Sequence, residues 1–434
     1  MKVHNLIKYF EDRGLIFQIS NREKLVNFLE NNSITLYCGF DPTNDSLHIG
    51  HIVLLLCLKR FQLLGHRPII LLGGATALIG DPSFRMYERK LYNFEYIQNN
   101  TINIVKQVKR FLNFNCGKNS AIIVNNYDWF KDMNILYFLR NIGKNFSINY
   151  MINKKSIKNR LNNIGYGITF TEFSYNILQG YDFSFLYQKY NATLQIGGSD
   201  QWGNITSGIN LIHRLYSNIV YGLTTPLITR VDGTKFGKNN SGKMLWLDSK
   251  KTSIFDFYQF WINVSDNDVY NFLKFFTFID LMDIMELKKN KNKNVFVKDN
   301  ILFCKPQYIL AKYVTKLVHG KYGLFLAERI TKNLFSLNAE KNLTKSVFEQ
   351  FVQDGIPTVF LKKNNDISLQ KSLIITNLAI SNREAKNMIE SNAISVNFKK
   401  QNNKKYVFAS NDIKYNHYTL LCRGKKNYRI IYWK

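Results

Sequence analysis

The sequence predicts an α/β protein: a doubly wound parallel sheet in the first half, then an α-helical domain, then a small basic α+β module. Three observations carry this. Short apolar runs that end at glycines alternate with longer helical patterns up to about residue 222. Strand signals then thin out, and residues 252–330 keep a mostly helical periodicity. From Pro357 to Lys434 the chain carries 15 Lys and Arg against 4 Asp and Glu, a net +11 in 78 residues.

Residues 34–40, Ile-Thr-Leu-Tyr-Cys-Gly-Phe, read as a buried strand. A helical apolar pattern follows over 48–64, with Lys59 and Arg60 towards its end. Arg67-Pro68 leads into Ile69-Ile70-Leu71-Leu72, a second strand closed by Gly73-Gly74. Strand, helix, strand at this spacing is a βαβ unit with a right-handed crossover. Ala121 to Val124 and Leu194 to Ile196 are further strands, with helical stretches at about 95–114 and 131–163 between them. Together these give a Rossmann-like sheet over residues 1–222. Residues 223–330 comprise the loop with Lys235-Phe236-Gly237-Lys238 and the helical domain, 331–356 a linker carrying one helix, and 357–434 the basic module. No internal repeat is visible.

The 434 residues contain 59 Lys and Arg against 31 Asp and Glu, a net charge of +28. Hydrophobic residues at 45% and aromatic residues at 15% exclude a disordered chain. The positive excess points to a polyanionic partner, most naturally nucleic acid. Lys- and Asn-rich runs such as Lys288 to Asn294 show that a compositional bias also contributes. The five cysteines, Cys38, Cys57, Cys116, Cys304 and Cys422, are odd in number and scattered, with no C-x-x-C pair. That pattern argues against a disulfide framework or a zinc cage. No apolar signal segment precedes Leu15, and the longest apolar run, Ile52 to Leu58, is too short to span a bilayer. A soluble cytoplasmic protein with no membrane association is expected.

Two short constellations carry chemistry. The first runs Asp41-Pro42-Thr43-Asn44-Asp45-Ser46-Leu47-His48-Ile49-Gly50-His51, between the first strand and its helix. Doubly wound sheets bind ligands there, and a helix N-terminus offers N–H groups to a phosphate. His48 and His51 lie three apart and share one helix face. Gly50 lets a base or ribose approach the backbone closely. The second is Lys235-Phe236-Gly237-Lys238, two cations around a glycine in the polar loop Val231 to Lys243. That spacing suits a mobile clamp on a triphosphate.

These two segments resemble the His-Ile-Gly-His and Lys-Met-Ser-Lys-Ser signatures of class I aminoacyl-tRNA synthetases. Phe170-Thr171-Glu172-Phe173-Ser174-Tyr175-Asn176-Ile177-Leu178-Gln179-Gly180-Tyr181-Asp182-Phe183 and Leu194-Gln195-Ile196-Gly197-Gly198-Ser199-Asp200-Gln201-Trp202-Gly203-Asn204 narrow the resemblance to the bacterial-type tyrosyl-tRNA synthetases. Gly73-Gly74-Ala75-Thr76 through Gly80-Asp81-Pro82-Ser83 fits the same family, and the resemblance extends to a C-terminal S4-like RNA-binding module.

The resemblance implies a homodimeric tyrosine–tRNA ligase. It would activate L-tyrosine with ATP and Mg²⁺ and transfer it to tRNA(Tyr), with no tightly bound cofactor and no dedicated metal site. Tyr37 and Asp182 would bind the substrate phenol. Tyr175, Gln179 and Asp81 would surround its ammonium group, and Gln195 would hold its carboxylate. Gly39, Asp41, Thr43, His48, Gly50, His51, Asp200, Gln201, Lys235 and Lys238 would line the ATP site, with the two histidines and two lysines acting on the phosphates. Arg383 and Lys386 would contact tRNA, and the dimer interface would fall within 126–163. The residues themselves agree on a polar ligand: Tyr175, Gln179 and Asp182 recur at i, i+4 and i+7, a polar stripe on an aromatic-rich helix. Departures from the family pattern are Ala77, Phe84-Arg85, Asn239 after the second signature, and Glu390-Ser391-Asn392-Ala393-Ile394, which lacks the usual glycine pair. Asn392 would then take the left-handed turn conformation. The rival readings are a tryptophan–tRNA ligase of the same fold and an RNA-binding protein that has lost catalysis.

Overall fold

The computed structural model describes residues 5–83, 90–161, 167–229, 231, 233, 236–237, 244–289, 305–335, 343–363, 367–424 and 426–434. The chain divides into two compact units, Met1–Gly237 with Asn271–Met285, and Lys238–Tyr270 with Glu286–Lys434.

The first unit is built on a six-stranded sheet: β1 (Gln18–Ile19), β2 (Thr35–Phe40), β3 (Arg67–Leu72), β4 (Ile122–Asn125), β5 (Ala192–Gly198) and β6 (Tyr221–Thr225). Its order is β1-β6-β5-β2-β3-β4. The strands run parallel except β1, which pairs antiparallel with β6 at the edge. The doubly wound parallel sheet expected from the sequence is therefore present. The chain moves from β2 outwards to β3 and β4 on one side, and from β5 to β6 on the other. The crevice between the C-terminal ends of β2 and β5 is the topological switch point, the favoured ligand position in such sheets. Strands β1 and β6 were not anticipated. Two residues of β1 are too few for an alternating pattern, and Gly222, Thr224 and Thr225 dilute the apolar signal of β6.

Fully buried Leu36, Ile69, Ile70 and Leu194 form the sheet's core, covered by the Ile49–Leu63 and Phe170–Tyr190 helices. The Ile49–Leu63 helix is apolar on most sides because it lies inside the unit; Ile52, Leu55, Leu56, Cys57, Leu58 and Phe61 are all buried. Its Arg60 is buried too, with no carboxylate ion pair among the described residues. The guanidinium donates to Thr277 O at 2.7 Å, joined by Arg13 at 3.0 Å, so the two cations cap the carbonyl end of the Val269–Phe276 helix.

The helical stretch expected at about 131–163 is a series of short segments over the described residues up to Leu161. The chain breaks there into Ile135–Tyr137, a π turn at Phe138–Ile142, Gly143–Asn145, Ile148–Ile152 and Lys155–Leu161. Polar side chains compete with the helix ladder at the breaks: Asn134 Oδ1 accepts from the N–H groups of Leu136 and Tyr137.

In the second unit, the Ile254–Ile262 and Pro306–Leu334 helices pack together, the latter interrupted at Gly320. The Lys345–Gln353 helix follows. The basic tail forms a five-stranded sheet, β7 (Thr358–Leu361), β8 (Ile394–Val396), β9 (Lys399–Gln401), β10 (Tyr418–Arg423) and β11 (Asn427–Trp433), in the order β7-β11-β10-β8-β9. It carries the Leu369–Ile375 and Asn382–Glu390 helices. One apolar core joins Phe255 and Ile330 of the helices to Phe348, Phe351, Leu420 and Ile430. The tail thus shares its core with the helices before it. Asn392 has φ +53°, the left-handed conformation expected where the glycine pair is missing. Among the described residues no helix is long and apolar enough to cross a membrane, and Cys38, Cys57, Cys116 and Cys422 are unbridged.

Candidate active site at the switch point

The loop after β2 and the start of the Ile49–Leu63 helix set the first signature. His48 is the N-cap, in extended conformation. Its Nδ1 accepts from Gly50 N at 3.1 Å, and His51 Nδ1 accepts from His48 N at 3.2 Å. A ring nitrogen that accepts from a backbone N–H is unprotonated, so both neutral imidazoles carry their proton on Nε2. The rings stack with centroids 3.8 Å apart. Burial pushes His48 down to about 4 and His51 well below the usual histidine range. Both therefore act as neutral hydrogen-bond donors at pH 7, not as cations.

The residues expected around tyrosine converge on the same crevice. Tyr37 on β2 and Gln195 on β5 are register partners, so their side chains leave the sheet on one face. The Tyr37 ring is fully buried and meets Phe183 edge-on at 5.2 Å. Asp182 is 1% exposed and accepts from Asn126 Nδ2 at 3.1 Å and Trp129 Nε1 at 3.0 Å. Burial pushes its carboxyl well above the ordinary carboxylate range, against those two donors. Three buried polar atoms of these side chains have no hydrogen-bond partner among the described residues: Tyr37 Oη, Gln179 Oε1 and Gln195 Oε1. Leaving one buried group unpaired costs about 1–3 kcal/mol, so three in one crevice mark a place built for a polar ligand.

The remaining groups form two short networks. Asp41 accepts from Tyr175 Oη at 2.8 Å and from Thr76 Oγ1 at 2.8 Å, and Asn126 Nδ2 donates to Thr76 Oγ1 at 3.0 Å. Tyr175, expected beside the ammonium, and Asp41, expected beside ATP, are thus bonded directly. Gly73 permits this: a Cβ there would come within 1.8 Å of Asp41 Oδ1. Asp81 accepts from Gln201 Nε2 at 2.8 Å and Ser83 N at 2.9 Å. Asp200 lies in the turn Ser199–Gln201 that follows β5, Thr43 N donates to Asp41 O at 2.8 Å, and Gly39 lies on β2.

Of the second signature, Phe236 and Gly237 are described. Phe236 packs on Phe272 with centroids 4.2 Å apart, and Gly237 has φ +132°, open to glycine alone. Lys235, Lys238 and Asn239 lie outside the described residues, as do Phe84 and Arg85. Arg383 and Lys386 are exposed on the Asn382–Glu390 helix of the second unit. Among the described residues no group of three or more His, Cys, Asp or Glu converges as a metal cradle. The sequence reading missed Asn126, Trp129 and Thr76. The available signal was position: Asn126 follows β4 as Asp41 follows β2, at the end of a parallel strand.

Residues 29–336 match the family model for tRNA synthetases class I (W and Y), and residues 347–431 match the tyrosine–tRNA ligase SYY-like C-terminal domain. The chain is 54% identical over all 434 residues to the tyrosine–tRNA ligase of Citrobacter koseri, covering 99% of it, and 54% identical to that of Salmonella newport, covering 100% of it. Among solved structures, a C-terminally truncated mitochondrial tyrosyl-tRNA synthetase from Aspergillus nidulans is 27% identical with a TM-score of 0.67, covering 77% of this chain and 95% of its own. The counterpart from Coccidioides posadasii is 29% identical with a TM-score of 0.63, covering 75% of this chain and 92% of its own. With a class I domain match across most of its length, a matching C-terminal domain and full-length relatives, this chain belongs to the tyrosine–tRNA ligases of the class I tRNA synthetase family.

Proposed function

We propose that the chain is a tyrosine–tRNA ligase working in two steps, and that the three orphaned polar atoms at the switch point receive the substrate tyrosine. In the first step the tyrosine carboxylate attacks the α-phosphate of ATP, giving tyrosyl-adenylate and pyrophosphate. In the second the terminal ribose hydroxyl of tRNA(Tyr) attacks the adenylate carbonyl and releases AMP. The attacking carboxylate is already ionised, so the protein supplies position and charge stabilisation and no nucleophile of its own.

Tyr37 and Asp182 would pair with the phenol, Asn126 and Trp129 holding the Asp182 carboxylate in place. Asp81, Tyr175 and Gln179 would surround the ammonium, and Gln195 would orient the carboxylate. Asp41, Thr43, Gly50, Asp200 and Gln201, with backbone at Gly39, would bind the nucleotide. The Nε2–H groups of His48 and His51 would donate to the phosphates as neutral groups, leaving the positive charge to Lys235 and Lys238. Mg²⁺ would enter with the ATP phosphates. A tryptophan reading is disfavoured, because an indole gives Tyr37 and Asp182 no phenolic hydroxyl to share.

In this reading residues 1–222, with the Lys235–Lys238 loop, carry activation, and the helices of 223–330 serve the anticodon side. Residues 357–434, with Arg383 and Lys386, track the tRNA backbone. Exposed Ile135, Leu136, Tyr137 and Ile148 within 126–163 support a homodimer through that segment. The chain would work in the cytoplasm. The test is stepwise: incubation with ATP and radiolabelled tyrosine should give an isolable enzyme-bound adenylate. Adding tRNA(Tyr) should then move the label to RNA. Absence of the adenylate with folded protein would refute the reading.

A further inference from the structure

We propose that Lys154 is a positioning residue for the amino-group subsite, acting through a one-way relay of side-chain amides that ends on Asp81. The proposal rests on the reading of Asp81 as a partner of the substrate ammonium. Lys154 lies just before the Lys155–Leu161 helix and is 9% exposed. Its aliphatic stem passes beside Gly203, where a Cβ would be 3.5 Å from the stem. Its Nζ donates to Asn176 Oδ1 at 2.8 Å, to Gly203 O at 2.7 Å and to Ser207 Oγ. The Tyr150 ring lies 5.4 Å from Nζ.

The direction of the relay follows from donor and acceptor chemistry. An ammonium has donors only, so Asn176 must turn Oδ1 towards Lys154. Ser207 Oγ donates to the same oxygen at 2.8 Å. Asn176 Nδ2 is then left to donate to Asn204 Oδ1 at 2.6 Å. With its oxygen taken, Asn204 gives Nδ2 to Gln201 Oε1 at 3.1 Å. Gln201 in turn presents Nε2 to Asp81 Oδ2 at 2.8 Å. The cation at the head and the carboxylate at the tail thus demand the same flip of all three amides, and the relay presents a donor to Asp81. Without the cation, Asn176 loses the donor that holds its Oδ1, and Asn204 and Gln201 are ordered from the Asp81 end alone.

Burial pushes the Lys154 ammonium down to about 7, so measurements at pH 6 keep it charged. The test compares binding of L-tyrosine with 3-(4-hydroxyphenyl)propanoate, which has the phenol and carboxylate but no amino group. Wild-type enzyme should prefer tyrosine. Lys154→Met should weaken tyrosine binding by at least roughly tenfold, the scale of one charge-assisted hydrogen bond. Its affinity for the amino-free acid should be unchanged, and the tyrosine KM should rise more than kcat falls. Asn176→Asp is the second variant. It keeps a partner for Lys154 but cannot donate to Asn204, so it should reproduce the amino-selective loss even if Lys154→Met fails to fold. Equal losses for both ligands in Asn176→Asp, or none, would overturn the relay. If wild-type enzyme bound the two ligands equally, the assignment of Asp81 to the amino group would itself be wrong, and the relay would fall with it.

Discussion

Replacing Tyr37 with phenylalanine should raise stability and lower activity at once, a combination that separates a ligand-binding hydroxyl from a structural one. Tyr37 Oη is buried and lacks a partner among the described residues, while the buried ring meets Phe183 edge-on. Phenylalanine keeps the ring and removes only the orphan. Relief of one unpaired buried hydroxyl stabilises the unliganded fold by up to about 1–3 kcal/mol. Tyrosine, however, loses one neutral hydrogen bond, about 0.5–1.5 kcal/mol, which at ~1.4 kcal/mol per decade is roughly a 2- to 13-fold fall in kcat/KM. Phenylalanine as substrate no longer strands the hydroxyl, so its own kcat/KM should rise. The tyrosine-to-phenylalanine ratio then falls by more than the tyrosine loss alone. Urea denaturation without ligand and pyrophosphate exchange with each amino acid measure the two sides. A destabilised Tyr37→Phe with unchanged discrimination would refute the reasoning and make the hydroxyl a structural group.

Asp182→Ala should abolish tyrosine activation and also destabilise the fold, because the donors of Asn126 and Trp129 lose their acceptor at about 1–3 kcal/mol each; wild-type kcat/KM in this variant would rule out the phenol pair. Because His48 is held down at about 4 and His51 below its usual range, the histidines should leave the exchange rate flat from pH 8 to 6. The unfolded chain binds more protons than the folded one between about 6.5 and 4, so their contribution to stability is full above 6.5 and declines as pH falls through that window. An activity inflection near 6.5 that disappears in His48→Asn would contradict the neutral assignment. Lys235→Ala and Lys238→Ala should slow adenylate formation strongly while changing the ATP dissociation constant mildly, read by pre-steady-state kinetics; equal losses in both would point to a static ATP site. Arg383→Ala with Lys386→Ala should weaken tRNA binding and flatten its salt dependence while leaving pyrophosphate exchange intact; an unchanged salt slope would leave these side chains outside the RNA interface.

The sheet was legible where side-chain periodicity is strong. Strands β2 to β5 and the Ile49–Leu63 helix coincide closely with their apolar runs, because both faces of the sheet are covered and both faces must be apolar. Within residues 131–161 the helical spacing is real but broken into short segments, because Asn134 caps one turn with its side chain and the ladder is interrupted again at Gly143 and Ser147. The shared core between the tail and its preceding helices left no mark in sequence, since the cluster that holds both Ile330 and Ile430 is set by tertiary packing. At the site, the polar stripe of Tyr175, Gln179 and Asp182 was visible, since polar residues on an apolar helix stand out. Asn126 and Trp129 were not, because they sit at the cap and inside the one-turn helix Tyr127–Phe130, too short to show a periodicity. Their role follows only from where β4 ends. The bond between Tyr175 and Asp41 spans 134 positions and joins two motifs that the sequence assigns to different substrates.

The most direct test of the account is amino-acid-dependent exchange of labelled pyrophosphate into ATP by the purified full-length chain, without tRNA. The account predicts exchange that requires tyrosine and is near background with tryptophan or phenylalanine. Exchange driven equally well by tryptophan would contradict the phenol assignment of Tyr37 and Asp182, and no exchange with any of the three from folded protein would contradict the activity itself.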